Sequence, residues 1–393
     1  MLCIGFAGRN KENSPPVTDY GYPRKKFNLM AAEKKEKKVY IEAIRVIATL
    51  FVLLNHVPAN MLYQQHEGAA QYALLVMMFV SRTCIPFFYM VSGALLLDHD
   101  EPFGVVMRKR ILRFVAVLFV AELGIYLANA AVAYLHHTEI QLSPFYFLSC
   151  FIAGKLPGAE TYWYLYAYLS MLFLLPFLRP IVKGLGKKEF LLLLIPHVVI
   201  CGILPIYNRA ASSFGLMHLE FSDDLGFPLA VWRPAFCAVC GYVLMKKIKA
   251  ESIRPRHLLI LFAASVLGVA AGVWATLDYA KAHGEYVTNY YHCVDYIITA
   301  FFVLLLRYLF EVRFKKLSDG RFAKILCFFG PLCFGVYLLD PFLKMALYPA
   351  YTRLGSGYTD TLLFSLGWVF FSFLACSLLT RLLKMIPGVK RFI

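Results

Sequence analysis

Charged residues are scarce in this chain: Asp, Glu, Lys and Arg make up only 16% of its 393 residues, against about 25% in an average soluble protein. Acidic residues are the scarcer sign, with 24 Asp and Glu against 40 Lys and Arg. Hydrophobic residues fill 60% of the chain and the mean hydropathy is +0.62. This composition excludes a soluble domain and predicts a polytopic membrane protein. The net charge of +16 then reflects loop topology rather than nucleic-acid binding.

The cysteines form no recognisable pattern. Ten are scattered along the chain, most of them in apolar runs, where cysteine behaves as a small hydrophobic residue. Cys237 and Cys240 form a C-x-x-C motif, but it lies in an apolar segment and has no second pair. We therefore expect no disulfide framework, no metal site and no permanently bound cofactor.

Long apolar segments predict an all-α protein with ten transmembrane helices. They cover residues 40–62, 72–97, 111–135, 162–183, 189–208, 227–247, 256–280, 290–311, 325–349 and 359–385. Of the 40 Lys and Arg residues, 32 lie in the N-terminal tail, every second loop and the C-terminal end, and four lie in the remaining loops. This alternation predicts that both termini are cytoplasmic, because positive residues stay inside.

The same reading divides the chain into three regions. Residues 1–38 are predicted to be a polar cytoplasmic tail, residues 39–386 a ten-helix membrane domain, and residues 387–393 a short basic cytoplasmic end. An apolar segment near 143–154 is too short to cross a bilayer, so we expect it to form a short interfacial helix.

The first predicted span carries two residues that apolar helices avoid, Arg45 and His56. Their separation of eleven residues places them on one helical stripe, about 16 Å apart along the axis. Ionisable groups inside a membrane indicate function by default. The competing interpretation is that Arg45 reaches the interface and His56 hydrogen-bonds a neighbouring helix.

Arg110 and Arg113 lie three residues apart at the predicted cytoplasmic end of the third span, hence on one helical face. Their guanidinium groups suit phosphates, although positive-inside topology alone also explains them. A deep His56 suits proton transfer, in catalysis or in a transport cycle. Together these residues predict a continuous corridor in which an acyl-CoA places its phosphates at the arginines and its thioester near His56. The alternative function is a transporter or flippase of a polar solute or glycan.

Several motifs resemble those of membrane-bound acyltransferase family 3, the integral O- and N-acyltransferases that modify bacterial surface sugars. The resemblance runs from about residue 39 to 386. Its motifs are Arg45-x10-His56, IPFFYMVSG at 85–93, Arg110-x-x-Arg113, WYLYAYL at 163–169, GY at 241–242 and FGVYLLDP at 334–341.

The resemblance implies a ten-helix enzyme in the bacterial cell membrane. It would take an acyl group, commonly acetyl, from cytoplasmic acyl-CoA as co-substrate. The acceptor would be a hydroxyl or amine of a cell-surface or lipid-linked carbohydrate. The implied partners are therefore acyl-CoA, the carbohydrate and the lipid bilayer, with no nucleic acid.

The resemblance also implies roles for residues on the donor side. His56 would be the catalytic histidine, as a base or as a transient acyl carrier. Arg45 would hold the donor or shape the tunnel, and Arg110 and Arg113 would bind the CoA phosphates. Ser92 matches the serine of the FF-x-x-SG segment and is expected either to contact the donor or to pack as a small polar residue.

On the acceptor side, Trp163 matches the tryptophan of the family and is expected to line the acceptor site, although tryptophan also belts membrane interfaces. Arg82 fits a basic position before the Pro-Phe-Phe stretch. The residues alone suggest that Arg233 and Asp295 pair with each other or line the acceptor cavity.

Two positions depart from the family pattern, since many members carry His where this chain has Thr161 and Asp340. A carboxylate near an imidazole holds its tautomer and raises its basicity. We therefore predict that Asp340 approaches His56 and joins it and Arg45 in the catalytic set. The alternative is that Asp340 pairs with Lys344, one helical turn further on.

Overall fold

The structure is a computed structural model that describes residues 38–137, 143–222, 232–287, 292–355 and 361–392. Within these ranges the regular structure is entirely helical, with no strand. The principal helical segments are α1 Val39–Asn55, α2 Gly68–Leu96, α3 Phe103–Leu135, α4 Pro144–Ala153, α5 Glu160–Gly184, α6 Lys187–Phe214, α7 Arg233–Tyr242, α8 Pro255–His283, α9 Cys293–Arg313, α10 Arg321–Leu354 and α11 Leu362–Leu383.

Eight of these helices are long and apolar enough to cross a membrane, which supports a multi-pass membrane protein. The other three are shorter: α1 has 17 residues, α4 has 10, and α7 has 10 and continues as a π-helical turn over Val243–Lys247. A count of ten spans and the orientation of the termini therefore remain predictions. The predicted tail lies outside the described residues except for Lys38, and part of the predicted 227–247 span lies outside them as well.

Helix α1 lies at the centre of the bundle, packed against α2, α9, α10 and α11. It ends at Asn55, seven residues before the predicted end of the first span. Pro58 explains the difference, because proline disfavours helical geometry in the residue before it. Val57 is accordingly extended, with φ −115° and ψ 164°. His56 is thus the C-cap of α1 rather than a residue inside the helix.

Helix α2 is broken at its middle, where Arg82 and Thr83 separate two helical halves. Pro86 accounts for the break, because a proline ring clashes with the carbonyl four residues earlier and cannot donate to it. The side-chain amide of Asn55 donates to the Ser81 carbonyl at 3.1 Å. This contact fixes the end of α1, including His56, beside the break in α2.

Helices α2 and α7 pack backbone to backbone through two glycines. A Cβ at Gly93 would lie 2.0 Å from the Ala238 carbonyl oxygen, and one at Gly241 would lie 2.0 Å from that of Met90. Small residues allow such approaches between helices. Both glycines belong to the motifs quoted above, so their role is to bring the two helices together.

The segment near 143–154 forms the short helix α4, as predicted, although its interfacial position stays a prediction. The basic turn in α3 has π-helical geometry over Met107–Leu112, a distortion that often occurs at functional sites.

Candidate active site

His56 and Asp340 form a direct hydrogen-bonded pair. The Nδ1 atom of His56 lies 2.8 Å from Oδ2 of Asp340. The Asp340 side chain is only 2% exposed and that of His56 is 13% exposed. The predicted approach of these two residues is confirmed. An ionised carboxylate only accepts hydrogen bonds, so the pairing assigns the Nδ1 proton to His56 and leaves Nε2 as the available nitrogen.

The alternative prediction was an ion pair between Lys344 and Asp340, and the described side chains of these two residues do not form it. The Nζ of Lys344 donates instead to the backbone carbonyl of His56. Carbonyls at a helix C-terminus have no partner within the helix, and lysine commonly satisfies them. Lys344 therefore anchors the end of α1 and leaves the carboxylate of Asp340 to the imidazole.

A cavity of about 610 Å³, here named the histidine cavity, opens beside this pair. Its lining includes His56, Arg82, Trp163, Arg233 and Asp295. With Glu160, two arginines and two carboxylates thus share one space with the imidazole. Arg233, Asp295 and Trp163 therefore line one cavity with the imidazole, and the assignment of this cavity to the acceptor stays a prediction.

A second cavity of about 330 Å³, here named the basic cavity, contains the other predicted residues. It is lined by Arg45, Ser92, Arg110 and Arg113, together with Lys109. The common face predicted for Arg110 and Arg113 is therefore present. Arg45 lies with them and does not line the cavity of His56, so the structure groups it with the cationic cluster rather than with the histidine pair.

Two of the arginines in the basic cavity are held by carboxylates. Glu42 binds Arg45 at 3.1 Å, one turn earlier in α1. Glu101 binds both Arg110 and Arg179, each at 2.8 Å. The hydrogen bond from Arg110, reinforced by Arg179, lowers the pKa of Glu101 to about 2. Glu101 therefore occupies part of the surface of Arg110 that an anionic ligand would use.

The two cavities meet at aromatic side chains. Phe88, Tyr164 and Tyr337 line both cavities, and this trio is named the aromatic partition. The ring centroid of Tyr164 lies 5.9 Å from that of Phe88 and 6.1 Å from that of Tyr337. The hydroxyl of Tyr337 donates to the Thr161 carbonyl. The predicted corridor thus corresponds to two cavities that adjoin at these three rings, and the continuity between them stays a prediction.

Sequence reasoning missed the aromatic partition and the residues that hold the ionic groups in place. Glu42 had a signal, since it lies three residues before Arg45 on the same helix. Lys109 had a signal too, since it lies in the same basic turn as Arg110 and Arg113. Phe88, Tyr164 and Tyr337 each lie in one of the quoted motifs, but nothing in the sequence indicated that their rings meet.

The bundle and its two cavities define a class: a multi-pass membrane protein whose interior holds a histidine–carboxylate pair next to a cluster of cations. Comparison with known families gives the particular assignment. Residues 38–381 match the acyltransferase domain of acyltransferase family 3, and the chain belongs to that family. No curated protein and no solved structure matches the chain significantly. Membership supports an acyltransferase enzyme.

Proposed function

We propose that this protein transfers an acyl group, acetyl in the simplest case, from cytoplasmic acyl-CoA to a carbohydrate at the outer face of a bacterial cell membrane. The acceptor atom is a hydroxyl oxygen or an amine nitrogen of a cell-surface or lipid-linked sugar. The observation that carries the proposal is the 2.8 Å contact between the buried Asp340 and His56, which lines a cavity that abuts the basic cavity.

The pair supports general-base chemistry. Asp340 holds the Nδ1 proton of His56, so Nε2 takes the proton of the acceptor hydroxyl as its oxygen attacks the thioester carbon. A carbon–oxygen bond forms, the carbon–sulfur bond breaks, and the departing CoA sulfur receives the proton from the imidazolium. The buried carboxylate of Asp340 stabilises that imidazolium. Transient transfer of the acyl group to Nε2 is the alternative use of the same nitrogen.

The basic cavity supports binding of the donor. Arg45, Lys109, Arg110 and Arg113 present four cationic side chains to it, and guanidinium groups bind phosphate oxygens through charge-assisted hydrogen bonds. The phosphates of acyl-CoA would rest on Arg110 and Arg113. The pantetheine arm would then extend past Ser92 toward the aromatic partition.

The histidine cavity supports binding of a polyhydroxylated acceptor. Arg82, Arg233 and Asp295 line this cavity, and their side chains include both donors and acceptors for sugar hydroxyls. Trp163, which is 49% exposed, offers an apolar face at the same cavity. Because the three rings of the aromatic partition stand where the two cavities adjoin, at least one of them would move to let the thioester pass when the donor binds.

The test uses purified protein in liposomes with acyl-labelled acetyl-CoA and a carbohydrate acceptor. We expect labelled product from the wild type and a loss of about 10²- to 10⁴-fold in rate for His56→Ala, the range typical of a general base. His136→Ala is the matched control, because this histidine is exposed at the end of α3 and should leave the rate unchanged.

The same preparation addresses the alternative function. A transporter or flippase would move an unmodified solute across the liposome membrane, and that movement would survive His56→Ala without any labelled product. Such a result would overturn the proposed acyl transfer. Full transfer activity in the His56→Ala protein would overturn the proposed role of the histidine.

A further inference from the structure

The carboxylate of Asp340 receives a second hydrogen bond from a residue that the proposed mechanism does not use. The hydroxyl of Ser372, on α11, donates to Oδ1 of Asp340 at 2.7 Å. The other oxygen, Oδ2, faces His56. Ser372 is 0% exposed. Each oxygen of the carboxylate is therefore bound by a different element, one by α11 and one by the end of α1.

The contact is unusual for a serine in an apolar helix. Buried serine and threonine hydroxyls commonly donate to the carbonyl four residues earlier in their own helix. Thr380 does so in α11, to the Cys376 carbonyl at 2.7 Å, and Ser265 does so in α8, to that of Leu261 at 2.7 Å. Ser372 instead directs its hydroxyl across to a charged group on α10.

The consequence concerns the rotation of the carboxylate. The torsion that turns the carboxylate of aspartate is broad and has no sharp minima. The backbone of α10 alone therefore does not fix the plane of the carboxylate relative to the His56 imidazole. Lys344 supplies no restraint, because its Nζ is directed to the carbonyl of His56. The hydroxyl of Ser372 is the second point that fixes the plane of the carboxylate.

We propose that Ser372 is a positioning residue that holds the Asp340 carboxylate in the orientation required by the His56 imidazole. The inference rests on the proposed acyl transfer and adds a residue to it. Ser372 does not touch substrate. It acts through Asp340, and its loss lets the carboxylate rotate away from Nδ1, so that the tautomer and the basicity of His56 are less well defined.

The kinetic test compares Ser372→Ala with Ser365→Ala. Ser365 lies on the same helix, is 1% exposed, and has no hydrogen-bond partner for its hydroxyl within the described part of the chain. We expect kcat to fall about tenfold in Ser372→Ala, the scale of one hydrogen bond to a charged group. KM for acetyl-CoA should stay unchanged. Ser372→Thr, which keeps the hydroxyl, should restore most of the activity.

A double-mutant cycle separates positioning from packing. In an Asp340→Asn background the Ser372→Ala change should lower kcat no further, because both changes act on the same interaction. Additive losses would show that Ser372 acts independently of Asp340 and would overturn the proposal. Equal effects of Ser372→Ala and Ser365→Ala on kcat would overturn it too.

A structural measurement makes the inference independent of the reaction. A cryo-EM structure of the Ser372→Ala protein should show the Asp340 carboxylate rotated and its 2.8 Å contact with His56 lost. A retained contact would overturn the positioning role. The wild type could fail to transfer acyl groups while the Ser372→Ala protein loses this contact as expected. In that case the proposed function fails and the positioning role stands.

Discussion

The histidine cavity and the basic cavity differ in how their charges are balanced. The histidine cavity sets Arg82 and Arg233 against Glu160 and Asp295, so its opposite charges are equal in number around one titratable imidazole. The lining of the basic cavity contains four cations and no acidic residue. A balanced polar site suits the recognition of hydroxyls and proton transfer, whereas a surplus of cations suits phosphates. We therefore expect substitutions in the histidine cavity to lower kcat or weaken acceptor binding. Substitutions in the basic cavity should weaken acyl-CoA binding.

The largest effect below is expected from Asp340→Asn. This substitution keeps the shape of the side chain, but the amide can donate to Nδ1 and place the imidazole proton on the wrong nitrogen. We expect kcat to fall by about 10²-fold, within the range of general-base catalysis. KM for acetyl-CoA should change little, as steady-state kinetics in liposomes would show.

Asp278→Asn is the control for removing a membrane carboxylate. Asp278 binds Arg209 and Ser213 and lines neither of the two cavities, so its substitution should leave kcat close to that of the wild type. A larger loss of kcat in this control than in Asp340→Asn would contradict the assignment of the catalytic pair.

The next effect concerns donor binding, through Arg113→Ala. Arg113 is exposed and lines the basic cavity, and one charge-assisted contact to phosphate accounts for about a tenfold rise in KM for acyl-CoA. Arg108→Ala removes the same charge from the same turn outside the lining. Equal KM values for the two variants would mean that only net charge matters and that the cavity has no specific phosphate site.

A smaller effect, on binding of the acceptor rather than of the donor, is expected from Trp163→Ala. Loss of an aromatic face typically weakens a contact by about 0.5–1.5 kcal/mol, which corresponds to a rise of about two- to tenfold in KM for the carbohydrate. KM for acyl-CoA should not change. Trp274 is 41% exposed and lines neither cavity, so Trp274→Ala tests for a general effect on the membrane domain. A rise in KM for acyl-CoA in Trp163→Ala would contradict the division between the cavities.

The smallest effect is expected from Glu101→Gln. Removing this carboxylate releases Arg110 for phosphate, and a partly exposed ion pair contributes only about 0.2–1 kcal/mol, so KM for acyl-CoA should fall by about two- to threefold. The pKa of Glu101 is lowered to about 2. The ion pair is therefore complete above the ordinary glutamate range and is lost only as pH falls toward 2.

It follows that the effect of Glu101→Gln should be constant between about pH 6 and about pH 9, where the carboxylate stays ionised. Asp100→Asn is the control, because Asp100 lies in the same loop but pairs with Lys183. A pH-dependent difference in that interval, or an equal gain in Asp100→Asn, would contradict the proposed competition for Arg110.

Sequence reasoning reached the class of fold and the identities of the central ionisable residues. Their chemistry made them visible, since Arg45, His56 and Asp340 stand out in apolar helices. The confirmed pairing of His56 with Asp340 came from a departure in a motif together with the need of an imidazole for a partner. Membership of acyltransferase family 3 is also confirmed.

What sequence reasoning did not reach has two causes: one local signal that was given too little weight, and several features that depend on side-chain packing. The early end of α1 follows from Pro58, a signal that was present in the sequence but was outweighed by the apolar run around it. The meeting of Phe88, Tyr164 and Tyr337 where the two cavities adjoin depends on the packing of helices distant in sequence, and no local pattern specifies that. The same holds for Ser372, one of many serines in apolar segments, whose direction is set only by the packing of α11 against α10.

The central claim is that a donor bound at the basic cavity brings its acyl group past the aromatic partition to the side of His56. The most direct test is a cryo-EM structure of the protein with a non-hydrolysable acyl-CoA analogue. We predict phosphates on Arg110 and Arg113, a displaced ring in the partition, and the carbonyl carbon within about 5 Å of Nε2 of His56, which leaves room for the acceptor oxygen between the two atoms. An acyl group held on the basic side of closed rings, with no path to the imidazole, would contradict the account.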